Sequence, residues 1–212
     1  MDPALLPRLV ELAHADGRRV MVHVETAADF RTAVAAGADQ IGHLPGFRPA
    51  GRALRDWFPL ARYRLAAADA REAARRAVGV VTTVSEALEL LDGMIQKAGP
   101  TADSASAVRR LIVENLNVLR ASGVRLLVGS DRFRTTSVPE AMALRRTGVF
   151  SDRELLRLWA VETPKAIFPR RRVGGLGTGD EASFLVLADD PTADLTSTGR
   201  IRLRVKQGWL VR

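Results

Sequence analysis

The chain has 212 residues, 47% of them apolar, which suits one ordinary domain, or one with a small appendage. Its formal charge of +8 would suit a phosphate-rich partner, but only Lys97, Lys165 and Lys206 among the 32 cations are lysine. The arginines are interleaved with acids, as in SDRELLRLWAVE, and their densest run, RRR at 170–172, has no aromatic neighbours to stack bases. The absence of Cys excludes disulfides and thiolate metal sites, and no apolar run approaches the ~18 residues of a membrane span. These features predict a soluble, cytoplasmic protein that binds neither nucleic acid nor membrane.

In chain order, DPALLPRLVELAHADG predicts a helix that opens on Asp2 and Pro3 and stops at Gly17. RRVMVHV is a short β-rich run, TAADFRTAVAAG a second helix ended by Gly37, and DQIGHL a second strand. An irregular stretch at 45–59 precedes a helix in DAREAARRA and a strand in VGVVTTV. SASAVRRLIVENLNVLRASG is a long amphipathic helix, VRLLVGSD a further strand, and SVPEAMALRR and SDRELLRLWAVETPKAIF further helices. Alternation through four units with Val/Ile/Leu-rich strands predicts an α/β fold whose parallel sheet is covered on both faces.

From residue 170 the texture changes. VGGLGTGDEASFLVLADDP and RIRLRVKQGWLVR alternate and turn on glycines, which predicts a small β unit over 170–212, apart from an α/β domain over 1–169. GGLGTG lacks the Lys-Ser/Thr ending of a phosphate loop and precedes no helix, so it reads as a tight turn.

Two of the three histidines sit at strand ends. In VMVHV, Met21 and His23 share one face and the valines the other, and on a regular strand Ile41 and His43 would point together. LLVGSD ends its strand on Asp131. In a (β/α) barrel the C-terminal strand ends form the mouth that carries active sites, so His23, His43 and Asp131 can converge there although distant in sequence. Imidazoles and a carboxylate suit zinc or a similar divalent ion, and a carboxylate can also accept a proton from water. Each residue also has a plainer use: a lone strand-end histidine can be a hydrogen-bonded core residue, and Asp131 can cap the next helix. His14, beside the glycine that ends the first helix, reads as structural.

VMVHVETAADFRTAVAAGADQIGHLPG, GVRLLVGSD and TPKAIFPRRRVGGLGTGDEASFLVLADDP together resemble the C-terminal half of an amidohydrolase-superfamily protein of the imidazolonepropionase-like kind. The resemblance places the family's fifth-strand histidine on His23, its sixth-strand histidine on His43 and its eighth-strand aspartate on Asp131. It implies the C-terminal half of a TIM-like (β/α)8 barrel, with a tail that completes a composite β-sandwich. The family's G-x-L-x-x-G-x-x-A-D reads GLGTGDEAS here, with Ser183 at the last position. The first-strand H-x-H pair and the fourth-strand Lys or Glu have no counterpart.

What this implies is a metal-dependent hydrolase, with zinc the first expectation, acting on a carbon–nitrogen bond of a small amide or cyclic amide. His23, His43 and Asp131 would be metal-site residues, with Asp131 also the proton-transfer group and Thr83 and Arg132 candidate substrate contacts. Four strands cannot close an eight-stranded barrel, so the chain is expected to be a truncated or split form, completed by a second chain or a homo-oligomer. The alternatives are a non-catalytic remnant or subunit and a basic nucleic-acid-binding module.

Overall fold

The computed structural model describes residues 2–47, 53–131 and 134–211. Its backbone separates into two compact units, Met1–Ala143 and Leu144–Arg212, so the division falls ahead of the helices in SDRELLRLWAVETPKAIF and not at the change of texture near residue 170.

The first unit begins with α1 (Leu6–Ala15) and continues through β1 (Met21–His23), α2 (Ala27–Ala35) and β2 (Gln40–Gly42). Next come α3 (Ala67–Arg75), β3 (Gly79–Val81), α4 (Ser85–Gln96), α5 (Ala102–Ala121) and β4 (Arg125–Leu127), and α6 (Val138–Arg146) follows. The strands form one parallel sheet in the order β1-β2-β3-β4. The pattern of four βα units is therefore observed, with ladders shorter than the apolar runs. The helix α4 was absent from the sequence reading; its Ala87, Leu88 and Leu91 are buried at helical spacing.

In register, Val22, Ile41, Val80 and Leu126 line one sheet face, and the last three are buried. The other face carries Met21 and His23, Gln40 and Gly42, Gly79 and Val81, and Arg125 and Leu127. That face is incompletely covered: Met21 is 56% exposed, and the buried Gln40 side chain keeps an Nε2 with no hydrogen-bond partner. On α1, Leu9 and Leu12 are exposed, as is Leu5 just ahead of it.

Local chemistry fixes the element ends. Thr26 caps α2 by accepting from Asp29 N–H at 3.1 Å, and the Asp29 carboxylate accepts from Thr26 N–H at 2.9 Å. His14 Nε2 lies 2.9 Å from Asp39 Oδ2, which also accepts from Val20 N–H; this is the N-terminal end of the sheet, in keeping with a structural His14. Asn115, buried on α5, donates to the Pro45 and Tyr63 carbonyls at 3.0 and 2.7 Å and accepts from Leu65 N–H at 2.9 Å.

The second unit contains α7 (Asp152–Arg157), a π-helical stretch at Leu158–Glu162, α8 (Thr163–Ile167), and the strands β5 (Phe184–Leu187), β6 (Ile201–Lys206) and β7 (Trp209–Val211). The strands form an antiparallel sheet in the order β5-β6-β7. The glycine-rich segment is a turn, as expected: Asp180 N–H donates to the Gly177 carbonyl at 3.0 Å, and the Asp180 carboxylate accepts from Gly177 N–H. Ser183 accepts from Gln207 N–H and donates to Glu181, which Arg171 holds. Leu185, Leu203, Trp209 and Leu210 are exposed on this sheet. Among the described residues no helix is long and apolar enough to cross a membrane.

Asn115→Ala should lower the unfolding free energy by about 2–4 kcal/mol, because it orphans three backbone groups at the core edge. The exposed Arg110→Ala should stay within about 0.5 kcal/mol of the parent. Urea denaturation of the two variants beside the parent measures both.

Candidate active site

The C-terminal ends of β2, β3 and β4 share an unusual backbone. His43, Thr83 and Asp131 all have left-handed conformations, with φ of 82°, 51° and 51°. For a residue with a Cβ this costs about 1–2 kcal/mol, and such residues collect at functional sites. Of the other non-glycine residues with positive φ, Ala77 and Ala98 close α3 and α4, and Gln207 turns the β6–β7 hairpin.

The conformation of His43 corrects the strand-parity expectation. Ile41 pairs with Val22 and Gly42 with His23, so a regular strand would send His43 to the face opposite His23. The strand ends at Gly42, and the left-handed turn swings the His43 ring to within 4.6 Å of the His23 ring, edge to face. The two histidines meet because the alternation is broken.

The loop after His43 is clamped on several sides. Gly46, at φ 83°, donates its N–H to the Glu25 carbonyl and accepts from Trp57 Nε1 at 2.8 Å, while Asn115 holds Pro45. A Cβ on Gly46 would meet Tyr63 Cβ at 3.2 Å. This places Phe47 flat on the His43 ring, 3.9 Å between centroids and 10° between planes.

His43 is buried and His23 is exposed. Nδ1 of His43 lies 2.7 Å from Thr83 Oγ1, and Nε2 of His23 lies 3.8 Å from the Glu25 carboxylate. Burial pushes the His43 pKa down to about 4; the Asp131 charge opposes this shift and His23 adds to it. His43 is therefore a neutral imidazole at pH 7, with one nitrogen committed to Thr83. Asp131 is exposed at the end of the β4 loop and acts on His43 through its field.

Of the residues expected at the site, then, the structure joins His23 to His43 and puts Asp131 within electrostatic reach. Thr83 is buried and serves as the partner of His43. Arg132 lies outside the described residues. Sequence reasoning missed Phe47, Glu25 and the buried Glu140, which binds the turn that carries Thr83. Phe47, four residues after His43, and Glu25, two after His23, were available by proximity alone; Glu140 lies in the first turn of a helix, a common place for an acid, and carries no such signal.

The donor chemistry fits a divalent ion in part. Two adjacent imidazoles, one of them held neutral, are suitable nitrogen ligands. The number falls short: among the described residues no three His, Cys, Asp or Glu side chains gather closely enough to hold an ion. The pair alone is too few donors for a metal site.

In metal-free protein His43 should titrate near 4, and Phe47→Ala, which admits water to the ring face, should raise that value toward 6.5. The folded value lies below the unfolded one, so the unfolded chain takes up the extra proton. The contribution of His43 to stability is thus complete above about pH 6.5 and is lost as pH falls from there through 4. Histidine-selective NMR titration, with urea unfolding at several pH values, measures both.

No protein-family model and no curated protein matches the chain. Solved structures do. A prolidase complexed with N-methylphosphonate-L-proline superposes at TM-score 0.73 and 20% identity, over 100% of this chain and 49% of that one. A Xaa-Pro dipeptidase with methionine bound in its active site gives 0.75 and 17%, over 100% and 49%. The ochratoxinase of A. niger gives 0.74 and 19%, over 99% and 45%. The chain thus spans about half the length of the structures it matches, and the fold it has is that found in amidohydrolases and prolidases over about half of their length.

Proposed function

We propose that this chain is the C-terminal half of a (β/α)8-type metal-dependent hydrolase that cleaves a carbon–nitrogen bond in a small amide, cyclic amide or dipeptide. The observation that carries the reading is the pairing of His23 with His43 at the C-terminal strand ends, with His43 dry, neutral and bonded through Nδ1 to Thr83. Support comes from solved structures of the same fold described as an amidohydrolase, a Xaa-Pro dipeptidase, a molinate hydrolase and a phenylurea hydrolase.

In this reading His23 and His43 are the donors this chain contributes to a divalent ion, with zinc the best match to imidazole ligands. When bound, such an ion supplies Lewis acidity toward a carbonyl oxygen and toward water. Asp131, exposed at the same end of the sheet, accepts the proton of the attacking water and returns it to the leaving nitrogen as the C–N bond breaks. Thr83 orients His43, and Phe47 keeps water from one face of its ring.

The other half would add four strands and the remaining ligands, either on a second polypeptide or on a longer form of this one. Several surfaces suit such a complement. They are the Leu5, Leu9 and Leu12 stripe, the bare Met21, and the exposed apolar side chains of β5–β7, which match the half of a composite sandwich. Arginines such as Arg31, Arg109 and Arg171 are held in ion pairs with Asp69, Asp92 and Glu181, which lends no support to a nucleic-acid reading.

The 212-residue chain by itself should bind zinc at well below one equivalent and leave N-acyl amino acids and Xaa-Pro dipeptides uncleaved. A form extended upstream to include an H-x-H strand should bind metal and turn over. In that form His23→Ala and His43→Ala should each lower kcat/KM at least about 100-fold. Elemental analysis and a ninhydrin assay decide the matter. Stoichiometric metal and full turnover by the short chain would refute the half-site reading, and full activity of the histidine variants would refute the assignment of the pair.

A further inference from the structure

Glu140 is a carboxylate that the proposed chemistry leaves unused, and it is 0% exposed. It lies in the first turn of α6, yet its oxygens point into the loop that follows β3. Thr82 donates its hydroxyl to Oε1 at 2.6 Å, Val84 its N–H to Oε1 at 2.8 Å, and Ser85 its N–H to Oε2 at 2.8 Å. Three donors from four consecutive residues thus converge on one carboxylate, and the residue in the middle that does not bind it is Thr83.

Thr83 is held in the left-handed conformation at φ 51°, and its Oγ1 lies 2.7 Å from His43 Nδ1. Thr82 N–H donates to the Leu127 carbonyl, which ties the turn to β4, and α4 starts without a side-chain cap. An acid whose solvation by water is replaced entirely by the donors of one turn acts as a template for that turn.

We propose that Glu140 is a positioning residue: by holding the Thr82–Ser85 turn it keeps Thr83 Oγ1 on His43 Nδ1, so that Nδ1 stays committed to the hydroxyl and the ring is held in a single tautomer. With Nδ1 committed to the Thr83 hydroxyl, Nε2 is the ring nitrogen left for any other partner. This deepens the reading of His43 as a site residue and gives α6 a part in the site through Glu140.

The test reads the tautomer directly, in the metal-free 212-residue chain at pH 7.5, from histidine 15N chemical shifts. The parent should show His43 predominantly as one tautomer. Glu140→Ala and Thr83→Val should both collapse it toward the mixed tautomers of free histidine, and Thr83→Ser, which keeps the hydroxyl, should restore the parent pattern. Glu140→Gln keeps one acceptor but presents an amide N–H₂ to the remaining donor, so it should give an intermediate spectrum and decides the case if the alanine variant does not fold. Leu119→Ala, a cavity in α5 remote from the turn, controls for lost stability and should leave the tautomer unchanged. A single tautomer that persists unchanged in folded Glu140→Ala or Glu140→Gln, or a parent with mixed tautomers, would overturn the proposal. The readout needs neither metal nor substrate, so a fixed tautomer in a chain that hydrolyses nothing even when extended would sink the proposed function and leave this inference standing.

Discussion

On a pleated strand two side chains an odd number of residues apart cannot share a face. His43 lies one residue past Gly42, the partner of His23, so a regular continuation would carry its ring away from His23 and into the layer beneath the helices. The left-handed backbone at His43 removes that constraint, at a cost of about 1–2 kcal/mol, and much of the surrounding structure serves to keep it. The Glu25 carbonyl, Trp57 and Asn115 satisfy the next turn of chain, and the Phe47 ring covers His43 from above. Similar turns at Thr83 and Asp131 make the exits from three adjacent strands alike in kind.

The electrostatics follow from the same geometry. Stacking against Phe47 and closure by the loop take water from the His43 ring, and an imidazole without water holds its proton poorly. His23, one strand over, stays in solvent beside Glu25. Two identical side chains 4.6 Å apart therefore live in unlike environments, one dry and neutral and the other wet and within reach of an acid. That asymmetry is set by the loop, not by the strands.

The fold was legible where periodicity alone decides it. The four βα units, the turn in GLGTGD and the antiparallel tail all follow from residue patterns of period 3.6 or 2 and from glycine placement. The helix at Ser85–Gln96 escaped because VGVVTTV runs into it with no capping side chain to mark its start. At the site, the strand ends could be read but the direction of His43 could not, since alternation gives the wrong face once the backbone turns left-handed at a residue other than glycine. The role of Glu140 rests on contacts across 56 residues of sequence to Val84, and no local pattern encodes it.

The strands stand in the sheet in the order in which they occur in the chain. Each βα unit can therefore dock on the one made just before it, without a late strand inserting between two earlier ones, and the contacts formed are mostly local. Glu140 comes after all four. During synthesis the anchors of the site arrive one after another: Trp57 and Asn115, which hold the loop after His43, then Leu127, which ties the Thr82–Ser85 turn to β4, and last Glu140. The site is thus completed late, and a nascent chain halted before α6 would lack the carboxylate on which the Thr82–Ser85 turn closes.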